Sequence, residues 1–162
     1  MEKIEKVISL LQKNARLTVS ELSERLMIPE KEITTIIKKC ENENIIRGYY
    51  ALVNERKLEK KRVRALIDIS IEPERDSGFD RLAQNLSKFP EVSDLMLVSG
   101  NFDLQLIVVG DSLNEVADFV SRKLAPLKGV RSTTTHFMLK KYKEAGFQLE
   151  EDENYERLKI TP

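Results

Sequence analysis

The chain has 162 residues, 41% hydrophobic and 33% charged, with 27 basic and 27 acidic side chains and so no net charge. That composition excludes a disordered chain and allows one sizeable core or two small ones. One histidine and one cysteine leave no disulfide and no zinc-ligand set to expect, and the longest apolar runs, such as Leu104 to Val109, are far too short to span a bilayer.

Ile4, Val7, Ile8 and Leu11 recur at helical spacing and predict an amphipathic first helix. Its opening, MEKIEKVISLL, mixes acids with bases and has no small-residue cleavage site, so no signal peptide is expected and the expected location is cytoplasmic. After a break at Asn14 and Arg16, Thr18-Val-Ser-Glu21 reads as a capping box: the hydroxyl accepts from the third helical amide and the carboxylate reaches back. The short helix it opens buries Val19, Leu22 and Leu26. Met27-Ile28-Pro29 makes a tight turn, and Pro29 suits a first helical position, where its missing N–H costs nothing. The third helix turns Ile33, Ile36, Ile37 and Cys40 inward, with Cys40 a buried core thiol. It ends near Asn42 to Asn44 and presents Lys31, Thr34, Thr35 and Lys38 outward, with Lys39 beside them. Three such helices describe a helix-turn-helix, in which two helices brace a third that lies in a major groove. An ordinary three-helix packing module fits the same pattern. Residues 1–62 carry 14 basic against 10 acidic side chains and residues 63–162 carry 13 against 17, which points to the front half as the one that faces nucleic acid.

Val63, Ala65, Ile67, Ile69 and Ile71 alternate along a strand. Pro73 to Gly78 form a loop, and Ser77-Gly-Phe-Asp80 is a second capping box. It opens a helix that buries Phe79, Leu82, Ala83, Leu86 and Phe89 before Pro90 stops it. Val92 to Ser99 and Phe102 to Val109 are two strands joined by a hairpin turn at Gly100-Asn101. A third capping box, Ser112-Leu-Asn-Glu115, opens a helix with Val116, Ala117, Val120 and Leu124 inward. After a loop at Pro126 to Gly129, a last strand runs from about Val130 to Leu139. The order β-α-β-β-α-β is the split-βαβ plan of ferredoxin-like domains, and the fold class is α+β. In the middle hairpin both alternating sets are largely apolar: Leu95, Leu97, Phe102, Leu104, Leu106 and Val108, but also Met96, Val98, Ile107 and Val109. Two helices cover one face of such a sheet, so a second copy of the chain is expected to cover the other, giving a homodimer.

Four segments in this order resemble the Lrp/AsnC, or feast/famine, regulators: LLQKNARLTVSELSERL, IIRGYYALVN, FPEVSDLMLVSGNFDLQLIVVG and LKGVRSTTTHFMLKKYK. The resemblance spans about residues 2–142. It implies a winged-helix-like DNA-binding domain over 1–46, a hinge strand over Ile45 to Asn54 that opens a hinge and linker region over 47–62, and an effector-binding RAM domain over 63–142 that also oligomerises, followed by an extension over 143–162. It further implies double-stranded DNA and an amino acid as partners, with dimers assembling to tetramers or octamers. No cofactor beyond such an effector is expected, and no membrane partner. Ser99, Gly100, Asn101, Phe102 and Asp103 match the family's hairpin, and Thr133, Thr134, Thr135 and His136 match its final-strand segment; both become candidate effector ligands. The chemistry suits an α-amino acid: Gly100 permits close backbone approach, Asp103 pairs an ammonium and threonine hydroxyls receive a carboxylate. Equally, Gly100-Asn101 reads as a plain turn, Asp103 as a local acceptor and the threonines as strand formers. His136 reads as a pH sensor, as a pocket residue, or as a strand residue without a role.

The third helix departs from the family pattern. Pro29 stands at the place of a capping serine, Thr34, Thr35 and Ile36 replace arginines, and Asn44 replaces a glycine. Threonine offers one hydrogen bond or a thymine-methyl contact where arginine reads guanine bidentately, and Glu30 and Glu32 repel phosphates. Weaker or A·T-leaning binding is therefore expected, the alternative being an effector-binding oligomeric paralogue with weak or lost DNA binding. An enzyme is not expected. Siroheme decarboxylases share the architecture but carry a hinge histidine that IIRGYYALVNERKL lacks, and no nucleophile–base pair appears elsewhere. In the tail, Glu150 to Glu153 form an acidic run, and Tyr155, Leu158 and Ile160 would dock on a neighbouring subunit or stay solvated.

Overall fold

Apolar residues spaced every three to four positions close the N-terminal part into a small helical core. The computed structural model describes residues 2–72 and 79–149, and the chain divides into two units, Met1–Leu52 and Val53–Pro162. In the first, α1 (Glu2–Lys13), α2 (Val19–Leu26) and α3 (Glu30–Asn42) bury Val7, Leu22, Ile33 and Cys40 completely. Val19, Leu26 and Ile37, expected inside, are partly buried at the edge of this core. The capping box at α2 is complete: the Glu21 amide donates to Thr18 Oγ1 at 3.2 Å and the Thr18 amide donates to Glu21 Oε2 at 2.7 Å. α2 ends at Met27, a left-handed residue with φ 53°. Pro29 is the N-cap of α3 rather than its first helical residue, and it brings no side-chain cap. Its carbonyl serves the Glu32 and Ile33 amides instead, at 2.8 and 3.1 Å.

The second unit is a four-stranded antiparallel sheet. Its strands are β1 (Val63–Ile71), β2 (Val92–Leu97), β3 (Leu104–Gly110) and β4 (Val130–Phe137), in the order β2-β3-β1-β4. One face lies under α4 (Asp80–Leu86) and α5 (Leu113–Asp118), which continues into a π-helical turn at Phe119–Leu124. Ala65, Ile67, Ile69, Leu104, Leu106 and Val108 meet Leu86, Val116, Phe119 and Leu124 there. Burial of each larger aliphatic side chain contributes about 1.5–3 kcal/mol. The architecture is thus the expected α+β arrangement, with local differences. At α5 the Ser112 hydroxyl accepts from the Glu115 amide at 3.1 Å, but the Glu115 carboxylate accepts from Asp111 N at 2.6 Å, so the box is half formed. Ala117 is exposed and Phe119 takes an inward place, packing edge-on against Phe89 with centroids 5.6 Å apart. The loop at Pro73 to Gly78, with Ser77 of the expected second capping box, lies outside the described residues; the N-cap of α4 is Phe79, which brings no side-chain cap. Among the described residues no helix is long and apolar enough to cross a membrane.

The expected linker divides. Residues 45–54, expected as a hinge strand, pair with no strand among the described residues. Tyr49 Oη donates to Glu41 of α3 at 3.1 Å. From residue 53 onward the chain belongs with the sheet: Arg64 on β1 grips Glu55 through two bonds, of 2.6 and 3.1 Å. The extension opens with a hairpin of β5 (Lys143–Glu144) and β6 (Phe147–Gln148) around Ala145 and Gly146 at φ 46° and 88°. Asn54 Nδ2 donates to the Leu149 carbonyl at 2.6 Å, tying the start of this unit to the residue that follows β6. The acidic run Glu150 to Glu153, with Tyr155, Leu158 and Ile160, lies outside the described residues.

The hydrogen bond from Arg64 holds the Glu55 carboxyl below its ordinary value of 4.5. A folded-state value below the unfolded one means stability present at neutral pH and lost as pH falls through the folded value. Urea unfolding should find Glu55→Gln less stable than the parent at pH 7, with the difference vanishing in the acid range.

Candidate DNA-reading and effector-binding surfaces

Outward residues of α3 follow from helical geometry: with Ile33, Ile36 and Cys40 buried, Lys31, Thr35, Lys38 and Lys39 are exposed and Thr34 is half-buried. Both threonine hydroxyls turn back into the helix. Thr34 Oγ1 donates to the Glu30 carbonyl at 2.9 Å and Thr35 Oγ1 to the Lys31 carbonyl at 2.8 Å. Their protons are thereby used, and each oxygen keeps acceptor capacity only. Of the two acids in the first turn, Glu32 is countered by Lys3 of α1 at 2.6 Å; Glu30 is exposed. Lys39 lies 3.9 Å from Glu43, and among the described residues Lys31 and Lys38 are held in no ion pair. The face therefore exposes the ammonium groups of Lys31, Lys38 and Lys39 around Thr35.

On the sheet, Ser99, Gly100 and Asn101 form an exposed turn between β2 and β3, with Phe102 and Asp103 half-buried behind them. Gly100 has φ 136°, a conformation that a side chain would strain. Asp103 is already engaged: its amide donates to Ile69 O at 2.9 Å and its Oδ2 accepts from Ile71 N at 2.7 Å. This bond falls at the register shift between Ser70 and Ile71, so Asp103 serves β1 rather than its own hairpin turn. The segment Thr133 to His136 is divided by strand alternation. Thr133 and Thr135 pair with Ile69 and Ile67 on the helix-covered face, whereas Thr134 and His136 pair with Asp68 and Leu66 on the open one. Thr133 shares its row with Ile69 and Leu104, next to the hairpin; His136 lies three residues further along, roughly 10 Å away.

The open face also carries a cluster that the alternation of β1 concealed. Asp68 is 7% exposed, and its carboxylate accepts from Gln105 Nε2 at 2.9 Å and faces His136 Nε2 at 3.2 Å. The available signal was an aspartate in the middle of an apolar strand, because a buried carboxylate needs partners. Leu66, Met96, Ile107 and Val109 flank this row as exposed or half-buried side chains. The second face is thus apolar at its borders and polar across its centre, rather than largely apolar throughout.

Two family models match the chain: a winged helix-turn-helix DNA-binding domain over residues 2–47 and the Lrp/AsnC ligand-binding domain over residues 64–146. An HTH-type transcriptional regulator of Bacillus subtilis is 39% identical over 162 residues, covering 99% of this chain and 98% of its own. One from Pyrococcus horikoshii is 32% identical over 132 residues, covering 82% and 81%. Among solved structures, a transcriptional regulator from Neisseria meningitidis in complex with L-Met is 29% identical with a TM-score of 0.70, covering 89% of this chain and 92% of that one.

Asp103→Ala leaves the Ile71 amide without its acceptor and should destabilise the sheet unit by about 1–3 kcal/mol. Asp103→Asn, which keeps an acceptor oxygen, should cost less; thermal unfolding of the two variants checks the order.

Proposed function

Because this chain belongs to the Lrp/AsnC family and is a DNA-binding transcriptional regulator of that type, we propose that a small amino acid modulates it, bound where Ser99–Asp103 hairpins meet between dimers. The observation that carries this reading is the exposed Gly100 turn backed by Asp103, inside the stretch that matches the family's ligand-binding domain. The L-Met bound to the Neisseria regulator supports the same ligand class. Gly100 lets ligand atoms reach the backbone. A carboxylate has lone pairs for more than one donor, so Asp103 holds the Ile71 amide and still receives an ammonium. Ser99 and Thr133 supply hydroxyls for the ligand carboxylate. Thr134 and His136 stand on the other face and serve the contact between two copies. No catalytic residue enters this reading: the relatives are transcription regulators and not enzymes.

The dimer forms through the open face of the sheet. A second copy buries Leu66, Met96, Ile107 and Val109, and the Asp68–Gln105–His136 row gives that contact a preferred register, since misaligned polar groups would be left without partners. Each dimer presents two α3 helices to duplex DNA, with Lys31, Lys38 and Lys39 on phosphates. Higher assembly of dimers brings the hairpins together.

DNA captured from the region upstream of the chain's own gene, titrated with and without a panel of amino acids, tests the proposal. At least one amino acid should shift half-saturation for the parent and fail to do so for Asp103→Asn; if none shifts it, the effector assignment falls. Lys38→Ala and Lys39→Ala should weaken binding and flatten its salt dependence, and unchanged slopes would remove α3 from the contact surface. Sedimentation should show a dimer or larger for the parent and a monomer for Ile107→Glu; a monomeric parent at micromolar concentration overturns the dimer.

A further inference from the structure

Thr35 stands at the middle of the outward face of α3, four residues after Lys31 and three before Lys38, and residues at those spacings share one side of a helix. Its side chain is exposed, yet its hydroxyl proton is committed to the Lys31 carbonyl at 2.8 Å. Thr34 makes the same bond to Glu30 and is half-buried, which leaves Thr35 as the better placed of the two. A threonine in this state has no donor to give. Guanine presents only acceptors in the major groove, at N7 and O6, and thymine O4 is an acceptor as well. None of these can be read by Thr35 while the back-bond stands. What remains is its methyl group, with an oxygen able to accept from an adenine or cytosine amine.

An A·T pair is the partner that answers both, with the thymine 5-methyl beside the adenine amine. Lys31 and Lys38 on either side hold the helix to phosphates without selecting sequence. We infer that Thr35 is a specificity-determining residue that reads thymine through methyl–methyl contact. The back-bond also fixes the rotamer, so the methyl meets the groove without further loss of side-chain freedom. This rests on α3 being the element that enters the major groove.

The test uses the full chain and duplexes selected by it from a randomised pool, in which thymines are replaced one at a time by deoxyuridine. At one position per half-site, loss of the 5-methyl should weaken binding about four-fold, the worth of one buried methyl. Thr35→Val keeps the methyl and puts a second methyl in place of the hydroxyl, so it should preserve this discrimination. Thr35→Ser keeps the hydroxyl and loses the methyl, so it should bind thymine and uracil duplexes equally at that position. Changes in duplex shape caused by uracil would persist in Thr35→Ser, which separates them from direct contact. Indifference of the parent to every replacement, or discrimination retained by Thr35→Ser, overturns the inference while leaving DNA binding intact. A chain that selects no duplex at all overturns both this inference and the placement of α3 in the groove.

Discussion

The register of β1 is the constraint on which the sheet unit depends. This strand is paired on both sides, with β3 and with β4, and side chains alternate with a period of two. A slip of one residue would carry Ile67 and Ile69 out of the core and push Asp68 into it. Both errors are costly, the first in lost burial and the second in an unpartnered carboxylate. Asp103 closes the register at the far end by taking the Ile71 amide where the ladder shifts. Arg64 does so at the near end by holding Glu55. The same alternation that builds the core therefore also decides which residues the open face carries.

The two units divide the work by the chemistry each exposes. The helical head presents lysines and back-bonded threonines, which suit a uniform polyanion with methyl groups in its groove. Its acidic first turn is partly offset within the fold, because Lys3 reaches Glu32. The sheet unit presents a positive-φ glycine turn beside an engaged carboxylate, and on its open face a polar row bordered by apolar side chains. Neither set resembles a reaction centre, and both suit recognition.

Much of this was legible in the residues. Helical spacing in the head, the capping box at Thr18, the strand pattern at Val63–Ile71 and the order of elements all describe local periodicity, which the chain carries whatever surrounds it. Four phrases in the right order were enough for the family. The legibility failed where a role depends on a distant partner. Asp68 is hidden in the residues because the apolar alternation of β1 runs through its odd positions. Thr133 to His136 read as one cluster, although a strand must send neighbours to opposite faces. Residues 143–148 read as a plain extension because two-residue strands carry too little pattern to register.

By itself, then, the sequence determined the element order, the helix-turn-helix, the α+β class and most residues of the two core faces, because each rests on spacing within a single segment. Only the tertiary structure decided that Thr35 has no free proton, that Asp103 already serves β1, that Asp68 gathers Gln105 and His136, and that Asn54 meets Leu149. Those outcomes are hydrogen bonds, and all but the Thr35 bond join residues far apart in the chain. A hydrogen bond depends on where two atoms finish to within a fraction of an ångström, and residue spacing does not encode that.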